Sequence, residues 1–275
     1  MFHQKFTKRR NTKKTILCVG LDPDIEKIPS AVAKGSEPLF HFSQRIVDET
    51  HRYASCYKIN IAFFERFGSA GLMQFEKLVR YIKLNYDGIP ILADAKRGDL
   101  ANTAKEYANY YFENLHVDAI TLSPYMGVDS IVPFLKVEKS FVFLLCLTSN
   151  PGSQDLQTQK LYKEENMLYH KVAELANSLN KEYINRVGIV VGATHPRELA
   201  NLRKMFPDLL FLIPGFGAQG GGLSETFQAA GQNSILNSSR QIIFAESNDE
   251  YGLAAGVVAR QVSEEISRSR NSSTC

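Results

Sequence analysis

No apolar run in this chain approaches the ~18 consecutive residues that a membrane-crossing helix requires, so no membrane role is expected. The leading segment, Met1 to Lys14, holds no acidic residue and lacks the apolar centre of a secretory signal. It is expected to form a polar lead-in or a capping helix before the first strand. Cysteine is scarce: Cys18, Cys56, Cys146 and Cys275 are the four present. They include no C-x-x-C pair, and no Cys/His spacing suggests a metal site. Buried, reduced thiols in a cytoplasmic protein are the expectation. The formal net charge is only +3, which gives no reason to expect a nucleic-acid partner. A G-x-G-x-x-G after the first apolar run is also missing, which counts against an open dinucleotide-binding sheet.

What the chain does have is a repeating order of short apolar runs and helical patterns. The predicted strands are Ile16–Leu21, Ser55–Ile59, Ile89–Ala93, Val117–Leu122, Phe141–Leu147, Val187–Val191, Leu209–Ile213 and Ser234–Asn237. Helical spacing is read near Glu37–Tyr53, over Gly71–Asn85, from about Leu100, over Asp129–Leu135, in a long run ending near Tyr183, and over Asp249–Arg268. Pro196 is placed for the first turn of a further helix. Ser153 to Gln159 reads as a long polar loop, and residues 269–275 as a polar tail. Nearly continuous apolar strands alternating with helices imply a parallel sheet covered on its faces. Eight such units over residues 1–275, with no linker-like segment, predict a single α/β domain, a closed (β/α)8 TIM barrel.

Active sites of such barrels lie at the C-terminal ends of the strands. The polar clusters of this chain collect there: Asp22 after the first strand, Lys58 and Asn60 at the second, Ser149 and Asn150 after the fifth, Gln219 after the seventh and Arg240 after the eighth. The third strand ends in Asp94-Ala95-Lys96-Arg97-Gly98-Asp99. Strand side chains alternate faces, so Asp94 and Lys96 are expected to point the same way, with Asp99 on the loop beyond. Pro214 to Gly222 is rich in glycine, whose backbone N–H groups approach an anion closely. Together with Arg240 it predicts a site for a phosphate monoester. A lysine between two carboxylates is held as the ammonium, which suits a general acid better than a Schiff-base nucleophile. Acid–base groups without a metal-ligand cluster suggest proton transfer to a carbanion. A carboxylate beside an anionic substrate is repulsive, and loss of CO2 would relieve the repulsion.

These residues carry a specific resemblance. Asp94-x-Lys96-x-x-Asp99-Leu100-x-x-Thr103 resembles the signature of orotidine 5′-phosphate decarboxylase. The spelling DAKRGD, with Val19–Asp24, Lys58-x-Asn60-x-Ala62-Phe63-Phe64-Glu65, Thr148–Gly152, Val191–Thr194 and Pro214–Gly221, is similar to the longer bacterial subgroup, type 2. The resemblance runs from about Ile16 to Ala245. It implies conversion of orotidine 5′-phosphate (OMP) to UMP and CO2 with neither metal nor organic cofactor, and a homodimer with sites at the subunit interface. It further implies that Lys96 is the proton donor to C6 of the pyrimidine, and that Asp94 holds Lys96 beside the departing carboxylate. Asp99 and Thr103 would reach the partner's site, Asp22 and Lys58 the ribose, Ser149 the pyrimidine edge, and Gln219 and Arg240 the phosphate. One departure is Asn237-Ser238-Ser239-Arg240-Gln241, where the family more often has a glycine beside the arginine.

Three rival readings have distinct signatures. A Mg2+-dependent sugar-phosphate lyase of the hexulose-phosphate synthase type, with the same D-x-K-x-x-D layout, would be sensitive to EDTA. Arg97-Gly98-Asp99 is an adhesion tripeptide in extracellular proteins, but the expected cytoplasmic setting argues against that use. A sugar-phosphate binder without catalysis would not need Asp94, Lys96, Asp99 and Thr103 together.

Overall fold

A computed structural model of the chain describes residues 1–162, 166–216 and 222–272. Its centre is a closed barrel of parallel strands: β1 (Leu17–Leu21), β2 (Cys56–Asn60), β3 (Ile91–Arg97), β4 (Ala119–Leu122), β5 (Val142–Leu147), β6 (Val187–Val191), β7 (Leu210–Pro214) and β8 (Ser234–Ser238). Each strand pairs with the next, and β8 closes on β1 through Leu17–Leu236, Cys18–Asn237 and Val19–Ser238. The expected (β/α)8 TIM barrel is therefore the fold. Its strands are apolar on both sides because one face fills the barrel and the other packs on helices. Every residue of β1 and β6 is buried.

The helices cover the outside with one apolar stripe each. In Gly68–Asn85, Phe75, Leu78, Val79 and Ile82 are buried, while Met73 and Leu84 face solvent. Pro196 opens the helix Pro196–Met205, where its missing N–H costs nothing. Cys18, Cys56 and Cys146 are buried free thiols in β1, β2 and β5, as expected. Cys275 lies outside the described residues. Among the described residues, no helix is long and apolar enough to cross a membrane.

The basic leading segment is a helix, Phe2–Lys13, and it closes the N-terminal end of the barrel. Phe2 and Phe6 are fully buried, and the Phe2 ring packs 5.2 Å from Phe141 and 5.6 Å from Phe143. Arg9 donates to the carbonyls of His51 and Ala54, and Lys5 pairs with Asp118 at 2.7 Å. Losing one such phenylalanine to alanine typically costs about 3–5 kcal/mol. With that end sealed, the opposite end is left for chemistry.

Several segments differ from the sequence reading. The polar stretch after β5 contains a short helix, Ser153–Leu156, and the long helix starts only at Leu168. Between them Lys160 and Met167 form an isolated antiparallel bridge, and the Gln157 side chain accepts the Thr148 N–H. The Leu161 N–H donates to the Asn166 carbonyl and the Leu168 N–H to the Gln159 carbonyl, so these groups pair across the stretch and not along a helix. The helix after β3, Ala101–Ala108, continues as a π-helical turn over Asn109–Asn114. The last helix, Tyr251–Ser272, runs into the expected polar tail. Finally, β3 extends past Ala93 through Asp94 to Arg97, with a bulge. Ala93 pairs with Ile120 and Arg97 with Leu122, so residues 94–96 lie opposite Thr121 alone.

Candidate active site

A cavity of about 530 Å3 opens at the C-terminal ends of the strands. Asp22, Lys58, Asp94, Lys96, Ser149 and Arg240, all expected there, line it. The fold brings together side chains 218 positions apart in sequence, from Asp22 to Arg240, because consecutive strand ends circle one rim.

Four of these side chains form a row of alternating charge across β1, β2 and β3. The Lys58 ammonium lies 2.9 Å from Asp94 Oδ2 and 3.7 Å from Asp22 Oδ1. Lys96 Nζ donates to Asp94 Oδ1 at 2.7 Å. Lys58 and Asp94 are buried, whereas the Lys96 side chain is 50% exposed and ends the row in the cavity. Burial opposes the charge on Lys58, but Asp22 and Asp94 outweigh it and hold its pKa above the ordinary lysine range. Burial likewise pushes Asp94 up, and the ammonium groups of Lys58 and Lys96 overcome it, leaving the carboxyl well below the ordinary carboxylate range. Asp94 is thus a fixed negative charge, placed where a bound ligand must meet it.

The sequence reading missed Thr121. Its hydroxyl donates to Asp94 Oδ1 at 2.8 Å and accepts the Lys96 backbone N–H at 3.0 Å. The available signal was a lone hydroxyl near the end of an otherwise apolar β4. Gln157 and Asn237 also line the cavity without having been singled out as site residues. The Oδ1 atoms of Asn237 and Asp22 are buried and accept no hydrogen bond.

The remaining walls fit a planar ring and an anion. Leu145, Val190, Leu212 and Pro214 provide apolar surface. Ser149 sits on the β5 loop, so close to Gly192 that a Cβ there would lie 2.8 Å from Ser149. A side chain at 192 would push Ser149 out of place. Gly20 has the same role beside β8, since its Cβ would come within 1.8 Å of Ser239 Oγ. Arg240 begins a short helix after β8, is exposed, and makes no ion pair among the described residues. Gly215, with a φ of +92°, starts the glycine-rich loop beside it. Gln219 and most of that loop, residues 217–221, lie outside the described residues.

Asp99 and Thr103, which the resemblance assigns to a partner's site, do not line this cavity. The Asp99 carboxylate accepts the N–H of Leu100 at 2.7 Å and makes no ion pair among the described residues. Within one chain, Lys96 therefore has Asp94 as its carboxylate neighbour, and not a pair of carboxylates. Thr103 is exposed and lines a separate groove with Arg97, Tyr107 and Tyr111. The reason is local: the chain leaves the barrel at Gly98, and the following helix, Ala101–Ala108, runs down its outside. Among the described residues, no three His, Cys, Asp or Glu side chains are grouped to hold a metal ion.

Known proteins resemble this chain along nearly its full length. A protein from Leptospira interrogans named orotidine 5′-phosphate decarboxylase is 50% identical over 261 residues, covering 95% of this chain and 94% of its own. One of the same name from Phocaeicola vulgatus is 43% identical, with 98% of each chain covered. The solved structure of Leishmania donovani OMP decarboxylase superposes with a TM-score of 0.83 at 38% identity, again covering 98% of each chain. Residues 15–254 match the family described as Orotidine 5′-phosphate decarboxylase / HUMPS. With the barrel, the charged row and the anion-facing rim in agreement, the chain belongs to that family.

Proposed function

We propose that this chain removes CO2 from orotidine 5′-phosphate to give UMP, a step of pyrimidine biosynthesis. The observation that carries the reading is the row Asp22, Lys58, Asp94 and Lys96, with its exposed ammonium facing the cavity opposite Arg240 and Gly215. The named relatives at 40–50% identity support it.

The substrate phosphate binds at Arg240, the backbone after Gly215, and Gln219. Remote binding energy of this kind is available to drive closure over the reacting carbon. The ribose hydroxyls donate to Asp22 and Asn237, with Lys58 beside them, and Ser149 meets the pyrimidine edge. Asp94 faces the C6 carboxylate, and its charge cannot be discharged by protonation at neutral pH. As the bond from C6 to the carboxyl carbon breaks, CO2 departs and its bonding electron pair stays on C6. The Lys96 ammonium stabilises that pair and delivers a proton to it, and solvent reprotonates Lys96. The preorganised charges supply stabilisation without reorganising at the moment of reaction. The reading requires neither a metal nor an organic cofactor.

Asp99 and Thr103, which face away from their own chain's cavity, would complete the site of a second copy. The exposed Leu100 between them suits such a contact. The active form is therefore a homodimer. A cytoplasmic setting is in keeping with the reduced thiols, and neither nucleic acid nor membrane takes part.

The test is the loss of the orotate ultraviolet band when purified protein meets OMP in EDTA, with Lys96→Ala alongside. Loss in the wild type alone is expected. No loss of the band in either protein would favour Mg2+-dependent sugar-phosphate chemistry instead, and an equally active Lys96→Ala would remove Lys96 from its role.

A further inference from the structure

We propose that Thr121 is a positioning residue that sets Asp94 and Lys96 in their reactive geometry, a role that rests on the reading of Lys96 as proton donor. The argument starts from the bulge in β3. Between the pairs Ala93–Ile120 and Arg97–Leu122, β3 advances four residues while β4 advances two. Main-chain groups in that stretch lose their regular partners. Lys96 also adopts a φ of +46°, a left-handed conformation that is unfavourable for a side chain of its size.

Thr121 is the residue opposite, and it is 1% exposed, so water does not compete for its hydroxyl. The Lys96 N–H donates to Thr121 Oγ1 at 3.0 Å, and the hydroxyl donates its single proton to Asp94 Oδ1 at 2.8 Å. The direction is fixed because an ionised carboxylate only accepts and a backbone N–H only donates. The same Oδ1 receives Lys96 Nζ at 2.7 Å. One hydroxyl thus ties the Lys96 backbone, the Asp94 carboxylate and, through that carboxylate, the Lys96 ammonium into a closed ring of hydrogen bonds. Rotation of the Asp94 carboxylate or relaxation of the left-handed turn would move Nζ relative to C6. Errors of about 1 Å in placement cost roughly a hundredfold in rate.

Thr121→Val keeps the shape and loses both bonds, whereas Thr121→Ser keeps both bonds and loses a methyl group. We expect kcat for OMP to fall by about tenfold or more in Thr121→Val, with KM changed less than about threefold. Thr121→Ser should stay within about threefold of the wild type. Affinity for UMP, measured by titration calorimetry, should be unchanged in both. Thr121→Ala shows the same kcat loss and serves should the valine variant fail to fold. A wild-type kcat in Thr121→Val, a serine variant as slow as the valine one, or a kcat loss matched by an equal loss of UMP affinity would each overturn the assignment. Lys96→Ala, assayed alongside, separates the two levels. If it still turns over, the proton-donor reading fails and takes this one with it. If it is dead while Thr121→Val is fully active, only the role of Thr121 falls.

Discussion

Lys58 lies between two carboxylates, 2.9 Å from Asp94 Oδ2 and 3.7 Å from Asp22 Oδ1, and is only 5% exposed. A buried ammonium in that position neutralises a repulsion as much as it forms a bond. Lys58→Met therefore leaves Asp22 and Asp94 facing each other with less compensation. Removing one member of a buried ion pair typically costs about 3–5 kcal/mol. Urea unfolding should show a loss of that size, while a wild-type midpoint would mean that solvent reaches the pair more freely than its burial indicates.

The same row fixes the pH behaviour. Asp94 titrates below its ordinary range, so its linked stability is fully present above an unfolded pKa of about 4 and is lost as pH falls through the lower folded value. Lys58 titrates above its ordinary range, so its contribution is fully present below an unfolded pKa of about 10.4 and is lost as pH rises through the higher folded value. Between about pH 5 and 9 neither group changes charge in either state. The pair should add no slope to stability there. Lys58→Met, which deprives Asp94 of a partner, lets its folded pKa rise toward the unfolded value and should therefore flatten the acid-side loss. Urea midpoints of the two proteins from about pH 2 to 9 check this.

Arg240 is an exposed cation at the rim, next to the start of the glycine-rich loop. Arg240→Ala should raise KM and lower kcat/KM for OMP by about ten- to a hundredfold, the worth of a charge-assisted hydrogen bond or two. The nucleoside orotidine, which lacks the phosphate, should be turned over equally poorly by both proteins. An equal loss with orotidine would show that Arg240 acts on something other than the phosphate.

Much of this was legible before the structure. Eight apolar runs with helices between them can close in few ways, and the strand ends then name the rim residues. Alternation along β3 was enough to put Asp94 and Lys96 on one side. Strand alternation says nothing about bulges, however, so the left-handed turn at Lys96 and the match of three residues to Thr121 were invisible. A threonine near the end of Ala119–Leu122 reads as a packing residue until its neighbour across the bulge is known. The stretch after β5 was misread as a loop because its order comes from side-chain bonds such as Gln157 to Thr148, which follow no local period. Strand alternation gave Asp99 in kind but not in place; the resemblance assigned it to a partner's site, and the path of the chain after Gly98 turns it away from its own cavity.

Lys96→Ala should abolish decarboxylation while UMP binding stays measurable, since the phosphate and ribose contacts are untouched. That variant also allows a test of whether Asp99 serves a second copy. Lys96 lines its own chain's cavity and Asp99 does not. Asp99→Ala is expected to be nearly inactive by itself. In a symmetric dimer, mixing two inactive variants at equal amounts and letting the subunits exchange makes half of the dimers mixed. In each mixed dimer, one site joins a wild-type Lys96 from one chain to a wild-type Asp99 from the other, and the second site lacks both. About a quarter of the wild-type activity should return. If the two residues serve one chain's own site, every site in the mixture carries one defect and no activity returns. The assay therefore reads the sharing of the site directly, through a gain of function that misfolding cannot imitate.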